Sequence, residues 1–486
     1  MTTKSKEGLV CRLAGGASGL LLVVGHLYPA GAVLQVVALV PILYVLAKRE
    51  VGLRAVVLAG MYMGCCYILP QLIALQLPMV MSLILLVHFM VLMTIFACGS
   101  VWLLRGPALA GSLAIGAFVV VLDWVNFTVI PIWGLAQSFV RPWSWYPALI
   151  QFVSLTGITG IIFVLGTLQG LAVNIIVRPK QRCRLFAAGL VVVLVFAGVN
   201  VIIGNERPAG KLKVAAVGWT SDDDRKLGGI YSEKGFEVLF AAPATRAADE
   251  GARLIVSPEL GFSFGGNGRE KWIGRFAEIA RRHSVFLAIG YFNEDENENR
   301  LLFMSSKGEV LSEYTKTYLT AFEDFHKGDG CLRVIEADGV RVGGMICQDD
   351  NFVRFSREHG RGGVGIVAVP TLDWRTVKSA HLQSSIHRAI ESRYAIVRAA
   401  QNGISAIISP KGEVLTGCDH FEDGPGVITA EVDIYSSRTV FSIAGHWLVV
   451  VSFIFLVVYT WRGLRRRFSG SESEASNDED VKFRIG

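Results

Sequence analysis

Eight long apolar stretches decide what this chain can fold into. Seven lie before residue 205, near 10–26, 31–47, 52–76, 78–104, 108–130, 147–177 and 183–204, and the eighth covers 443–461. Most reach the ~20 residues that carry an α-helix across a hydrocarbon core. Composition agrees: 52% of the 486 residues are hydrophobic, 18% are charged and the mean hydropathy is +0.46, more apolar than a soluble two-domain enzyme. The first stretch has too little charge ahead of it, and too near a second span, to read as a cleaved signal peptide.

Loop charges orient these spans. Lys4, Lys6 and Arg12 precede or open the first; Lys48, Arg49 and Arg54 separate the second and third; Arg105 follows the fourth. Arg178, Lys180, Arg182 and Arg184 separate the sixth and seventh, and Arg462, Arg465, Arg466 and Arg467 follow the last. The alternate loops hold almost no Lys or Arg, Arg141 excepted. The positive-inside rule therefore puts both termini in the cytoplasm. The expected organisation is a membrane domain of about seven helices over 1–204, an extracytoplasmic domain over 205–440, and a C-terminal transmembrane helix over 441–463. A basic then acidic tail, 464–486, reads as disordered. The net charge of +6 reflects the anchors and gives no reason to invoke nucleic acid.

Within 205–440 three reactive side chains each follow a strand-like run. Leu254 to Pro258 delivers Glu259, Gly308 to Thr315 delivers Lys316, and Val340 to Ile346 delivers Cys347. Gln348-Asp349-Asp350-Asn351 and a helical pattern follow Cys347, so backbone N–H groups and a helix dipole there would favour thiolate. A carboxylate, an ammonium and a thiol presented in this way suggest acyl chemistry on a nucleophilic cysteine. Strand patterns at 214–218, 285–291 and 364–369 alternate with helical ones at 231–249, 271–283 and about 378–401, giving α/β or α+β. Ser306-Lys-Gly-Glu-Val-Leu311 and Pro410-Lys-Gly-Glu-Val-Leu415 read as matching hairpin turns, through related sheet edges or shared turn chemistry alone.

The trio Glu259, Lys316 and Cys347 resembles the Glu-Lys-Cys triad of the nitrilase, or carbon-nitrogen hydrolase, superfamily. Within it the eight spans make the chain most similar to the apolipoprotein N-acyltransferases. The run Pro370-Thr-Leu-Asp-Trp374, Gln383, His387-Arg388-Ala389, Glu391, Arg393, Arg398 and Asn402 to Ser405 resembles that family's signature. So do Pro131 to Gln137, Gln151, Gly157 to Phe163, Arg438-Thr439 and Gly445-His446-Trp447. The likeness covers about residues 10–465 and implies an α-β-β-α sandwich beside a multi-span helical membrane domain.

The resemblance also implies roles. Glu259 would be general base, Lys316 would hold the oxyanion with a backbone N–H at or after Cys347, and Cys347 would form a thioester with a phospholipid acyl chain. The acceptor would be the α-amino group of a diacylglyceryl-cysteine lipoprotein, at the outer face of a bacterial cytoplasmic (inner) membrane. Such a ping-pong route needs no metal or other cofactor. Three positions depart from the family. Its glutamate two residues after the nucleophile is Asp349 here, its supporting glutamate aligns with Asp324 with Glu323 adjacent, and its entrance tryptophan is displaced to Trp219. Trp219, Trp374, Phe262 and Phe264 are the substrate-contact candidates, the two phenylalanines in a segment, Gly261 to Gly268, that reads as a lipid-facing lid or a plain surface loop.

Other features stay open or bland. Cys331 and Cys418 are either a disulfide or two free thiols. No CxxC or paired-His spacing supports a metal site, and His381 and His387, six apart, read as solvated or capping. Arg388, Glu391 and Arg393 read as structural ion pairs, and Asp123 and Asn126 as polar groups at a membrane interface. A membrane-tethered amidase acting on a small substrate is the alternative enzyme, and an inert scaffold the third class.

Overall fold

In the computed structural model, residues 3–48, 51–130, 132–435 and 438–482 are described, with side chains outside 3–5, 267 and 466–482. Arg49 and Pro131 lie outside the described residues, as do the side chains of Lys4, Arg466 and Arg467 and of the acidic tail. Among the described residues eight helices are long and apolar enough to cross a membrane: Lys6–Leu27, Pro29–Lys48, Leu53–Leu75, Met79–Leu103, Ala108–Val129, Thr159–Val177, Pro179–Gly204 and Trp447–Arg465. The sixth is shorter than its apolar stretch. Residues 147–158 fold as short turns after Pro147, and Gly157, with φ +65°, ends them before the helix starts. At the other end, one helix runs from Trp447 to Lys482, through residues that composition marks as disordered. Elongating an existing helix needs no new nucleus.

The chain divides into two compact units, 1–125 with 159–195 and 446–486, and 126–158 with 196–445. The second carries the reactive residues. Its strands are β1 Gly210–Gly218, β2 Leu254–Val256, β3 Phe262–Phe264, β4 Phe286–Asn293, β5 Glu298–Met304, β6 Val310–Thr315 and β7 Val334–Ala337. They continue as β8 Val340–Gly344, β9 Ile366–Leu372, β10 Ala395–Gln401, β11 Ile404–Ile408, β12 Val414–Asp419 and β13 Gly426–Ile434. One sheet has the order β13-β1-β2-β4-β5-β6 with β3 beside β4, and the other β12-β11-β10-β9-β8-β7. The sheets face each other, β1 against β10 and β11. Helices α1 Ala242–Asp249 and α2 Gly266–His283 cover the first sheet, and α3 Val353–Arg361 and α4 Lys378–Ser392 belong to the second. This is the α-β-β-α sandwich.

Two glycines let the cysteine-bearing strand sit in that sandwich. A Cβ on Gly344 would stand 2.4 Å from Leu301 and 2.7 Å from Phe303 of β5, and one on Gly343 would stand 2.3 Å from His359 of α3. Successive side chains of a strand face opposite ways, so β8 needs one missing side chain toward each layer.

The two matching turns occupy equivalent edges. Ser305 Oγ accepts from the Lys307 and Glu309 N–H groups, and Ser409 Oγ from those of Lys411 and Glu413, at 3.2 and 3.1 Å in each. They join β5 to edge strand β6 and β11 to edge strand β12.

Periodicity misplaces two helices. The pattern at 231–249 is broken into Glu233–Phe236, a π-turn and α1. The helix expected over about 378–401 stops at Ser392, where Arg393 takes φ +56° as a left-handed cap, and Ala395–Gln401 becomes β10, paired in parallel with β9. Its core of Ala395-Ile-Val397 suits a buried strand as well as a helix, and pairing with β9 decides.

Candidate active site

Glu259 lies just beyond β2 and is buried. Its Oε1 accepts from Lys316 Nζ at 2.7 Å and from Asn299 Nδ2 at 2.7 Å, while Oε2 accepts from the Leu372 N–H at 2.6 Å. Three donors from β5, β9 and the end of β6 therefore fix the carboxylate. Lys316, fully buried, donates in addition to Glu323 Oε1 at 2.6 Å, and Glu323 Oε2 takes the Thr320 N–H at 2.8 Å, folding the loop back on the lysine. The family resemblance points to Asp324, with Glu323 adjacent, for this role. Asp324 is instead exposed, its carbonyl accepting from Asn297, because the loop turns one residue earlier.

Cys347 follows β8 with φ +47°, a left-handed conformation that costs a side-chain-bearing residue on the order of 1–2 kcal/mol. Its Sγ lies 3.6 Å from the Leu372 carbonyl. Residues Cys347–Asn351 form a single 3-10 turn, and α3 begins only at Val353, so no helix N-terminus meets the sulfur. Burial, followed by the negative charge of Glu259, pushes the Cys347 thiol up to about 11, against the pull of Lys316 and His381. Desolvation thus outweighs the local cations, opposite in direction to the expected pull toward thiolate. Lys316 itself is held as ammonium, since Glu259, Cys347 and Glu323 together overcome the effect of burial.

Asp349 staples the two reactive segments together. Its Oδ2 accepts from Tyr314 Oη at 2.8 Å and the Ile346 N–H at 3.1 Å, and its Oδ1 from the Tyr318 and Thr317 N–H groups at 2.8 and 3.3 Å. Burial raises its pKa to about 6 despite these donors.

Three of the four aromatic candidates are buried in the core of the first sheet's outer layer. Phe262 is in contact with Phe240, Trp272 and Phe276, Phe264 stacks on Tyr291 with ring centres 4.2 Å apart, and Trp219 packs edge-on to Phe262. All are core residues, and the supposed lid is strand β3 followed by the start of α2. Trp374, 39% exposed at the end of β9, is the one left accessible.

Sequence reasoning missed the buried polar groups behind the turn. His381 is not solvated: its Nδ1 lies 2.8 Å from Asp373 Oδ1 and its Nε2 3.1 Å from the Cys347 carbonyl oxygen. Arg398 Nη2 donates to Asp373 Oδ2 at 2.6 Å. Cys347, Asp373 and His381 offer ligand atoms within 4.8 Å of one another. Both imidazole nitrogens and both Asp373 oxygens already have partners, one of them a guanidinium, which does not suit a metal ion. His387 is also buried, and donates to the Arg141 carbonyl at 3.0 Å.

The segment 126–158 belongs to this site. Arg141 Nε donates to Gln383 Oε1 at 2.9 Å, Arg393 Nη1 to Gln151 Oε1 at 2.6 Å, and the Ile158 N–H to Glu391 Oε1 at 3.1 Å. Arg388 bonds Glu391 at 2.5 Å and takes up the Asp350 and Asn351 carbonyls, both at 2.9 Å. The signature residues of α4 thus tie this segment to the cysteine turn. Asp123 and Asn126 are fully buried rather than interfacial, Asn126 donating to the Gln137 carbonyl at 2.9 Å. Cys331 and Cys418 are both free.

The family model described as carbon-nitrogen hydrolase matches residues 213–440. That match falls on the α-β-β-α sandwich and covers just under half of the chain. Beyond that domain, the chain is 23% identical over 303 residues to the apolipoprotein N-acyltransferase of Geobacter metallireducens, covering 55% of this chain and 58% of that one. It is 21% identical over 401 residues to apolipoprotein N-acyltransferase 2 of Treponema denticola, covering 69% and 76%. The 2-oxoglutaramate amidase of Bacillus subtilis is 28% identical over 196 residues, covering 36% of this chain and 71% of its own. Among solved structures, an amidase from Nesterenkonia sp. aligns with TM-score 0.40 and 22% identity over 49% of this chain and 96% of its own. The match to the Geobacter relative thus spans just over half of that protein's length.

Proposed function

We propose that this protein is a membrane-embedded N-acyltransferase that moves a fatty acyl chain from a phospholipid to the N-terminal amine of diacylglyceryl-cysteine lipoproteins. The observation that carries the reading is the buried Glu259–Lys316 pair acting on Cys347, in a chain with eight apolar spans. Loop charge supports residues 205–440 on the extracytoplasmic side of a bacterial cytoplasmic membrane.

Because burial pushes the Cys347 thiol up, attack and deprotonation go together. Glu259 takes the thiol proton as sulfur adds to the ester carbonyl, and the Lys316 ammonium stabilises the oxyanion. Collapse expels the lysophospholipid alkoxide, which takes the proton from Glu259, and leaves a thioester. The lipoprotein amine then adds, Glu259 accepts its proton, and collapse forms the amide while the proton returns to sulfur. Asn299 and the Leu372 N–H keep Glu259 aimed throughout.

The partial likeness to an amidase supports a second reading, in which water resolves the thioester. Complementation of a host depleted of its own lipoprotein N-acyltransferase separates them. Rescue by wild type but not by Cys347→Ala supports acyl transfer, and failure of both, with the protein present in the membrane, sinks it.

A further inference from the structure

Both ring nitrogens of His381 face oxygen acceptors, and the Cys347 sulfur lies against the same ring. Nδ1 points at a carboxylate oxygen, Asp373 Oδ1, and Nε2 at the Cys347 carbonyl with Asp350 Oδ1 3.3 Å away. A neutral imidazole carries one N–H and would turn a lone pair toward one of these oxygens; only the doubly protonated ring donates on both sides. That Asp350 oxygen is buried and makes no hydrogen bond among the described residues, so His381 is its nearest counter-charge.

We propose that His381 is a buried imidazolium that holds Cys347 in its left-handed corner and shares with Lys316 the stabilisation of the cysteine thiolate. This rests on Cys347 as the nucleophile and adds a cationic positioning residue to the Glu-Lys-Cys trio. The charged groups around the ring are Asp373, Asp350, Arg398 and Cys347. Burial and Arg398 oppose its charge, and Asp373, Asp350 and Cys347 outweigh them, holding His381 well above the ordinary histidine range. Arg398 keeps Asp373 ionised in spite of its burial, by the 2.6 Å contact, and stands 3.9 Å from Asp350 Oδ2, which also bonds Ser385. Two carboxylates facing two cations balance the cluster, so the imidazolium survives burial as part of a network.

The test reads the thiol itself, on the full-length protein, and so is independent of whether acyl transfer occurs. Iodoacetamide alkylation of Cys347 is followed by intact mass from pH 7 to 10 for wild type, His381→Gln and Asp373→Asn. Gln can still donate to the Cys347 carbonyl but carries no charge. Folded His381→Gln is expected to react about tenfold more slowly at each pH, the effect of about one unit in thiol pKa. Asp373→Asn is expected to shift the same way. An unchanged profile in folded His381→Gln overturns the proposal. Should His381→Gln not fold, nitrogen-15 histidine spectra of the wild type decide: one imidazolium signal persisting at pH 8.5 is expected, and its absence overturns the assignment.

Discussion

Glu323 rather than Asp324 touches Lys316, and that one-residue difference is directly testable. Glu323→Gln removes an ion-pair partner of a fully buried ammonium and is expected to slow acylation of Cys347 by about tenfold to a hundredfold through misplacement of the lysine. Asp324→Asn changes an exposed group and is expected to stay within about twofold. Equal losses in the two variants would contradict the contact. The raised thiol gives a sign in pH as well. With burial raising the Cys347 thiol, alkylation should climb through pH 8 to 10 without levelling, whereas a thiol near 8.5 would level early. A plateau below pH 9 would show the cations winning. At this scale the sequence singles out Glu259, Lys316 and Cys347, because each ends a strand-like run. The roles of His381 and Asn299 were not legible, because they come from which strands meet, and Arg398 stood out only through the signature run, with its Asp373 contact unseen.

At the scale of elements, β8 is the most constrained piece, pressed between the facing sheet and α3 at its paired glycines. Gly344→Val is expected to destabilise the domain by about 1–3 kcal/mol through overpacking against Leu301 and Phe303. Protease resistance in detergent would measure it, and an unaffected Gly344→Val would mean that β8 has room to shift. Arg388→Ala is expected to cost more, about 3–5 kcal/mol, since it strands the buried Glu391 carboxylate and frees two carbonyls of the cysteine turn. The strand and helix order was largely legible from period and turn residues. The 378–401 segment was not, because Ala395 to Ala399 satisfies either period and only its neighbour β9 selects the strand. Phe262 and Phe264 misled for a related reason: glycines and aromatics look alike in a lid and in a short strand over an aromatic core.

For the whole molecule, the apolar stretches made the eight helices plain from composition, while the grouping of 126–158 with the α/β domain depended on long-range bonds such as Arg141–Gln383. Orientation has a built-in reporter, since Cys183 and Cys331 are both exposed and fall on opposite sides in the loop-charge reading. A membrane-impermeant maleimide applied to intact spheroplasts should label Cys331 and spare Cys183; the reverse pattern would invert the topology. The claim on which the account turns is an acyl group carried by Cys347. Intact-mass analysis of the purified protein in phospholipid vesicles, wild type beside Cys347→Ala, measures it. The account predicts one fatty-acyl mass on wild type alone, which leaves when a diacylated lipopeptide is added and reappears on the peptide amine. No adduct on a folded wild type whose Cys347 still reacts with iodoacetamide would contradict it.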